Sequence, residues 1–314
     1  MERNLRRDLR PHPGTYFDYY ADSQNYRQWA ARQEVSLNPT PLISLRPWVS
    51  YRHEERPAEF DFKETWFGLG ASCRLSTALS LSGNAGVLPS RDPGTGYAPL
   101  TGEAYLGIQP ADGTQMTLAL SHNLFTVLNS APAVPRRDRL VGSSYGFILS
   151  QKLDYRTAFT ANYDYSTYDR TGDSSAHFRH NGRARVRTEL HAGKPKLWVE
   201  AGYQHIDFNV YAPIGVWTPD RFQSAQLNLD TEWKPWPNWT VSGGLSGGTQ
   251  REEQKNSAGA LAGEWDEFGG FTALVSTQIG RVHAYVGGGH ANSSFETGRG
   301  YRRSYGYTGL SWWF

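Results

Sequence analysis

The sequence predicts an all-β fold, a transmembrane antiparallel β-barrel of about 16 strands. Segments in which apolar and polar residues alternate recur along the 314 residues, aromatic residues flank the apolar faces, and short turns alternate with longer connections. Aromatic residues make up 14% of the chain and there are 33 glycines, a composition that favours strands and tight bends. A barrel with a lipid-facing outer surface and a watery interior accounts for all of these features.

The alternating segments give the order of the elements. Residues 1–12 are predicted to be a linker or leader from an upstream periplasmic region, and 13–314 are predicted to form the barrel. Links after even-numbered strands are short, whereas 125–138, 209–221 and 251–263 are long. Short turns on one rim and long loops on the other are typical of outer-membrane barrels, which keep the short turns in the periplasm. The predicted strands are 14–22, 26–38, 42–53, 60–74, 77–88, 99–109, 114–124, 139–152, 156–169, 175–191, 196–208, 222–234, 238–250, 264–279, 281–292 and 301–314.

Three segments carry more specific expectations. In 301–314, Leu310 and Phe314 share one parity, which predicts a last strand with an apolar outer face and Phe314 at the periplasmic rim. Pro47 lies within a predicted strand, which predicts a bulge there or a misplaced strand boundary. Loop 209–221 is apolar, so it either folds into the mouth as a constriction or packs on the barrel rim.

Composition and charge exclude several other classes of protein. There is no run of about 18 apolar residues, so a helical membrane protein is excluded. The formal net charge of +2 gives no electrostatic basis for binding nucleic acid. Cys73 is the only cysteine, and the nine histidines show no tight metal spacing. The sequence therefore predicts no disulfide framework, no metal site and no other cofactor.

The two faces of the strands distinguish a membrane barrel from a soluble β-sandwich. The apolar faces are bracketed by aromatic residues, namely Trp29, Tyr51, Tyr145, Phe147, Tyr163, Tyr165, Trp233 and Trp239. The opposite faces carry charges at mid-strand, which a sandwich would place only on its solvent side. The pattern therefore favours the barrel, and about 16 strands leave an aqueous channel inside it.

The inner face is where the sequence predicts function. In strand 175–191, Arg179, Arg183, Arg185 and Arg187 share one parity and form a predicted arginine ladder. The other residues predicted to line the channel are Arg46, Trp48, Arg52, Glu64, Trp66, Glu103, Tyr105, Trp198, Glu200, Asp230, Glu232, Arg303 and Tyr305, together with Arg32, Glu34, Arg74, Lys152 and Asp164. One interpretation is that these charges pair across neighbouring strands and stiffen the wall. The other is a path for a sugar chain, in which rings stack on pyranose faces while carboxylates and guanidinium groups bind hydroxyls.

A lipid-modifying hydrolase is a further alternative. Ser121 precedes His122, and His290 lies close in sequence to Ser293. Such chemistry needs a nucleophile, a base and an orienting group within hydrogen-bond reach of one another. Serine and histidine are common, so the pattern by itself favours no enzyme.

The first predicted hairpin resembles a known family. Residues 15–23, with the sequence Thr-Tyr-Phe-Asp-Tyr-Tyr-Ala-Asp-Ser, are followed by Tyr-Arg-Gln-Trp at 26–29. This entrance to the barrel resembles the C-terminal outer-membrane porin domain of tetratricopeptide-repeat exopolysaccharide exporters, which serve poly-N-acetylglucosamine, cellulose and Pel export. The resemblance covers 13–314 in architecture.

The resemblance implies a function. It implies a monomeric pore in the bacterial outer membrane that passes an exopolysaccharide outward, without chemistry of its own, supported by a periplasmic helical-repeat scaffold and an inner-membrane synthase complex. The arginine ladder departs from the strongly acidic path of the poly-N-acetylglucosamine type, so a neutral or partly anionic glycan fits better. The alternative is a general or solute-specific diffusion porin, which is more often a trimer with a loop folded into the channel.

Overall fold

The structure is a computed structural model. It describes residues 11–22, 25–57, 60–89, 99–126, 139–170, 177–209, 220–255, 259–296 and 299–312. The predicted leader, the terminal residue Phe314 and most of loops 125–138 and 209–221 lie outside the described residues, as does part of 251–263.

The chain forms the predicted closed antiparallel barrel of sixteen strands, which confirms the fold class. A further two-residue strand, β14, pairs with the end of β13. The strands are β1 (His12–Asp22), β2 (Arg27–Thr40), β3 (Ile43–Arg56), β4 (Phe60–Arg74), β5 (Leu79–Val87), β6 (Leu100–Ala111), β7 (Thr114–Thr126), β8 (Arg139–Lys152), β9 (Thr157–Arg170), β10 (His177–His191), β11 (Lys196–Phe208), β12 (Arg221–Trp233), β13 (Trp239–Lys255), β14 (Leu261–Ala262), β15 (Trp265–Ile279), β16 (Val282–Glu296) and β17 (Arg299–Trp312).

The barrel closes between its first and last strands. Along β1, Gly14 is opposite Ser311 of β17, and Tyr20 is opposite Tyr305. The other side of β1 pairs with β2. Each barrel strand is therefore hydrogen-bonded on both sides, which is how a sheet can lie in lipid without unsatisfied backbone groups.

The connections separate into the two expected classes. Asp112-Gly113 and Gly280-Arg281 are two-residue turns in which the glycine has a positive φ, 81° at Gly113 and 57° at Gly280, a conformation that side chains disfavour. We call the rim that carries these turns the short-turn rim and the opposite one the long-loop rim. The register places His12 and Trp312 at the short-turn rim, since Trp312 is opposite Val282, directly after the turn at Gly280.

The expectation for Pro47 is wrong. The strand β3 continues through it, and Pro47 is opposite Leu69 in an uninterrupted pairing with β4. The register between β2 and β3 shifts elsewhere, between Leu37 and Thr40. Each residue of an antiparallel ladder directs its N–H to only one neighbouring strand. The missing N–H of proline therefore leaves the pairing on the other side intact.

The outer face is apolar. Along the strands, large side chains exposed on this face include Leu69, Leu120, Leu227, Leu245 and Val286. Residues of the opposite parity are mostly small, polar or charged. The outer surface thus provides the lipid-facing band of a transmembrane barrel.

Tryptophans lie where this band meets the short-turn rim. Trp233 and Trp239 flank the turn between β12 and β13, and Trp236 lies within it, 6.1 Å from Trp239 between ring centroids. All three are well exposed, as expected of rings at the lipid–water boundary. In the described part of the chain, no helix is long and apolar enough to cross a membrane.

Candidate functional site

A cavity of about 600 Å³ identifies the face that lines the channel. Arg187 of β10, Trp198 of β11 and Asp230 of β12 lie on one side of it, and Tyr307 of β17 lies on the other. In the order of the barrel, β10 and β17 are separated by β11, β12, β13, β15 and β16. Side chains from such distant strands can share one cavity only inside the barrel, so these residues face the channel.

The arginine ladder begins near the long-loop rim with a tight ion pair. Arg179 Nη2 lies 2.6 Å from Asp164 Oδ2 on β9 and 3.1 Å from Ser166 Oγ. The amide of Asn181 donates to the other carboxylate oxygen of Asp164 at 2.7 Å. Both oxygens of Asp164 are thereby engaged, and the pair crosses from β9 to β10.

Two further members of the ladder are paired with acids of other strands. Arg185 lies 3.7 Å from Glu200, which also accepts a hydrogen bond of 3.1 Å from Asn228. Arg187 lies 3.3 Å from Asp230. The cross-strand pairing that the sequence left open therefore accounts for these positive charges.

Arg183 differs from the other three arginines of the ladder in its partners. Among the residues that the structure describes, it has no ion pair or hydrogen bond to a carboxylate. Its cross-strand neighbours are the amides Asn162 and Gln204. Arg183 is half-buried in the wall, so among the described residues it is the arginine of the ladder that has no carboxylate in direct contact.

Trp198 forms the aromatic part of this side of the channel. The guanidinium of Arg187 lies 5.0 Å from its ring centroid and the ammonium of Lys196 lies 6.0 Å from it, within the range of cation–π contacts. Lys196 is the first residue of β11, directly after a short turn. This part of the cavity therefore lies near the short-turn rim.

A second group of predicted residues lies on β2, β3 and β5. Arg32 is 2.8 Å from Glu34, and its guanidinium lies 4.6 Å above the ring of Trp48. The indole N–H of Trp48 donates to Asn84 at 2.7 Å. This arrangement repeats the combination at Trp198, an indole with an arginine and a carboxylate beside it.

Three pairs each lie on a single strand, two residues apart on the inner face, and all their members except Glu54 were predicted to line the channel. Arg52 lies 3.2 Å from Glu54. The ring N–H of Trp66 donates to Glu64 at 3.1 Å and the hydroxyl of Tyr105 donates to Glu103 at 2.7 Å. The remaining predicted residues are dispersed. Arg46 lines a separate cavity of about 410 Å³, Glu232 is 3.7 Å from Lys234, and Arg303 and Tyr305 lie on β17.

The sequence prediction missed two groups on the inner face. Tyrosines on β1, β16 and β17 accompany Tyr305, namely Tyr16, Tyr20, Tyr285 and Tyr307. An apolar group near the long-loop rim consists of Tyr168, Ile206, Phe208 and Phe222, all buried. Tyr307 shares its parity with Tyr305, so the alternation itself was sufficient to find it. The apolar group has no such signal, because apolar residues at these positions have the parity assigned to polar ones.

The hydrolase alternative does not assemble a triad. His122 Nδ1 contacts Ser143 Oγ at 2.9 Å, and His290 Nδ1 contacts Ser304 Oγ at 2.9 Å. Both pairs lie on the outer face. Ser121 lies on the inner face, opposite Glu103, and is therefore not the partner of His122. The side chain of Ser293 lies outside the described residues. Within the described residues, no acid or amide is bonded to either imidazole, and no group of three or more His, Cys, Asp or Glu side chains could hold a metal ion.

Comparisons with known proteins agree with the fold. No protein-family model matches the chain, and no curated protein is similar to it. Among solved structures, it is similar to a "Bacterial polysaccharide outer membrane secretin", with a TM-score of 0.74, 9% identity and coverage of 98% of this chain and 99% of the other. It is also similar to OccD3 (OpdP) of Pseudomonas aeruginosa, with a TM-score of 0.51, 10% identity and coverage of 97% and 91%. For CdiB of Acinetobacter baumannii the TM-score is 0.56 at 13% identity, over 96% of this chain and 60% of that one.

The fold and these similarities together indicate where the protein lies in the cell. A closed barrel with an apolar outer band that is similar to outer-membrane proteins over nearly its whole length lies in the bacterial outer membrane, as predicted. The similarities show the fold of an outer-membrane barrel. At identities of about 10% they carry no information on the residues of the channel.

Proposed function

We propose that the barrel is a passive, monomeric conduit that passes an exopolysaccharide from the periplasm to the cell exterior. The observation that carries the proposal is the cavity near the short-turn rim. There, Trp198 with Arg187 and Asp230 faces Tyr307 across the channel. Aromatic faces on two walls, with a guanidinium and a carboxylate beside them, suit a pyranose ring, whose faces are apolar and whose edge carries hydroxyls.

The likeness to a polysaccharide outer membrane secretin supports this proposal, because it extends over 99% of that chain at the highest of the three TM-scores reported. In the same proposal, a periplasmic helical-repeat scaffold delivers the polymer and an inner-membrane synthase produces it. The mixed charge of the wall favours a neutral or partly anionic glycan, because three of the four ladder arginines have carboxylate partners.

The experiment is deletion of the gene in its host, followed by complementation. Cells without the protein should lose extracellular polysaccharide and retain polymer in the periplasm, and the wild-type gene should restore secretion. Trp198→Phe should complement because it keeps an aromatic face, whereas Trp198→Ala should secrete less. Unchanged extracellular polysaccharide in the deletion strain would exclude the export function.

A diffusion porin is the second candidate, and the similarity to OccD3 is the observation that favours it. Liposome swelling distinguishes the two. A diffusion porin admits small neutral sugars at rates that fall smoothly with their size, and its deletion reduces uptake of a solute without affecting secretion.

A further inference from the structure

We infer that five tyrosines on three adjacent strands form a binding strip for the faces of neutral pyranose rings, and that glycines on neighbouring strands were required to make this strip. The strip consists of Tyr16 and Tyr20 of β1, Tyr285 of β16 and Tyr305 and Tyr307 of β17. The inference rests on the proposed function, since it names the part of the polymer that the pore recognises. It concerns the wall opposite the arginine ladder.

The register places the five rings in one stripe along the channel. Tyr16 and Tyr285 are both opposite Gly309, while Tyr20 is opposite Tyr305 four residues further towards the long-loop rim. Tyr307 lies between these levels. At about 3.3 Å per residue the stripe extends over about 13 Å of strand, enough to touch more than one sugar ring.

The rings are close to one another but not packed face to face. The centroids of Tyr285 and Tyr307 are 6.1 Å apart. Those of Tyr305 and Tyr307 are 6.3 Å apart, with their planes only 10° from parallel. Side chains two residues apart on one strand stand side by side, so nearly parallel rings at this distance present similarly oriented faces along the stripe.

Glycines explain how the tyrosines lie close to the wall. A Cβ atom at Gly287 would lie 2.6 Å from the ring of Tyr307, and one at Gly289 would lie 2.7 Å from the hydroxyl of Tyr305. A Cβ atom at Gly309 would collide with the ring of Tyr285. Each of these rings therefore occupies the space that a side chain on the adjacent strand would need. Any residue larger than glycine would force the ring away from the wall.

This arrangement favours sugar over other cargo. Pyranose faces present C–H groups that gain dispersion energy against a flat ring, and the tyrosine hydroxyls can donate to and accept from sugar hydroxyls. Asp18 on β1 is the acid that lines a small cavity with Tyr20, Tyr305 and Tyr307, and no arginine or lysine lines that cavity. This part of the strip therefore has no cation to hold an anionic substituent, and we infer that its ligand is the neutral ring itself. Cations lie at the short-turn end of the strip, where Arg32 is opposite Tyr16 and Arg187 lines the cavity that Tyr307 borders.

The test is isothermal titration of the full chain with cellohexaose and maltohexaose, two neutral glucose hexamers, in a detergent without a sugar headgroup. The wild-type barrel should bind at least one hexamer. The double variant Tyr285→Ala/Tyr307→Ala should bind it at least about fivefold more weakly, the lower end of what loss of one stacking ring causes. Tyr285→Phe/Tyr307→Phe keeps both rings and should bind within about threefold of the wild type.

Glycine variants test the wall without removing a ring. Gly309→Ala should weaken hexamer binding because it displaces Tyr285. Gly247→Ala on β13 is the matched control outside the strip, since a Cβ atom there has its nearest neighbour at 3.7 Å. A heat-resistant folded band in electrophoresis verifies that each variant has folded. Equal affinities of the wild type and the double alanine variant, or no binding of either hexamer by the wild type, would overturn the inference.

The outcomes separate this inference from the export proposal. If hexamer binding depends on the tyrosine rings but the deletion strain secretes normally, the binding strip is supported and the export function is excluded. If the deletion strain loses secretion but hexamer binding is unchanged by the tyrosine substitutions, the export function is supported and the binding strip is excluded.

Discussion

Arg179 and Asp164 form an ion pair of 2.6 Å between neighbouring strands, on the inner face of the barrel near the long-loop rim. Both side chains are about one-quarter exposed, 26% and 27%, whereas Arg187 and Asp230 are 44% and 37% exposed. The two pairs belong to the same ladder but differ in geometry and in access to water. They should therefore differ in what they contribute to stability.

Double-mutant cycles should measure this difference. For Arg179→Gln and Asp164→Asn, we expect a coupling free energy of about 1–3 kcal/mol, because each single change leaves a largely buried charge without its partner. For Arg187→Gln and Asp230→Asn, we expect about 0–1 kcal/mol, since the exposed pair is screened by water. The measurement is urea unfolding of the barrel in lipid vesicles. Equal coupling in the two cycles would contradict the expectation.

Arg183 should influence ion selectivity more than stability. Because it has no carboxylate partner among the described residues, Arg183→Gln removes a positive charge without exposing a negative one. The reversal potential in planar bilayers should shift towards cations, and adding Arg185→Gln and Arg187→Gln should increase the shift. The temperature at which the folded band disappears should change little.

Lys63→Gln is the control for this prediction, because Lys63 shares the outward parity of Phe67 on β4. It removes one positive charge outside the channel and should leave the reversal potential unchanged. An unchanged potential in the triple variant, combined with a more heat-resistant band, would mean that these arginines face lipid.

Neighbouring residues of β7 test the assignment of the two faces. Leu120 is 52% exposed on the outer face, whereas Ser121 is opposite Glu103 on the inner face. Leu120→Arg should cost about 2–4 kcal/mol, the penalty for arginine near the bilayer midplane. Ser121→Arg should be nearly neutral, because its guanidinium would lie in water beside a carboxylate. Comparable losses of unfolding free energy in both variants would contradict the parity.

Asp154 should make the turn between β8 and β9 sensitive to pH. Its carboxylate accepts the backbone N–H groups of Arg156 at 2.6 Å and Thr157 at 2.8 Å, and these bonds lower the pKa of Asp154 from its usual range. A lowered pKa in the folded state stabilises the protein above the unfolded-state pKa, about 3.9. That contribution is lost as the pH falls through the folded-state pKa.

Asp154→Ala should therefore lower the urea midpoint at pH 7, with a difference from the wild type that shrinks as the pH falls below about 4. Asp154→Asn keeps an acceptor oxygen, so its urea midpoint at pH 7 should lie between those of the wild type and Asp154→Ala. A difference that is constant with pH would mean that the turn gains nothing from the ionised carboxylate.

The sequence by itself determined the architecture, because the lipid-facing residues of a membrane strand must be apolar and therefore recur at every second position. Alternation like that around Leu120 and Leu227, repeated along the chain and separated by turns such as those at Gly113 and Gly280, predicted about sixteen strands and the face on which each side chain lies. The prediction of a bulge or a misplaced boundary at Pro47 was wrong, because the sequence does not show to which neighbouring strand the N–H of that residue would have pointed.

Only the tertiary structure decided which inner-face residues meet. The partners of the ladder arginines come from β9, β11 and β12, and their distances depend on the register between strands, which no single segment encodes. The same holds for Tyr285 over Gly309 and Tyr307 over Gly287, since a ring and the glycine beneath it belong to different strands. Parity specifies the face on which a side chain lies, whereas register and barrel closure specify its neighbours.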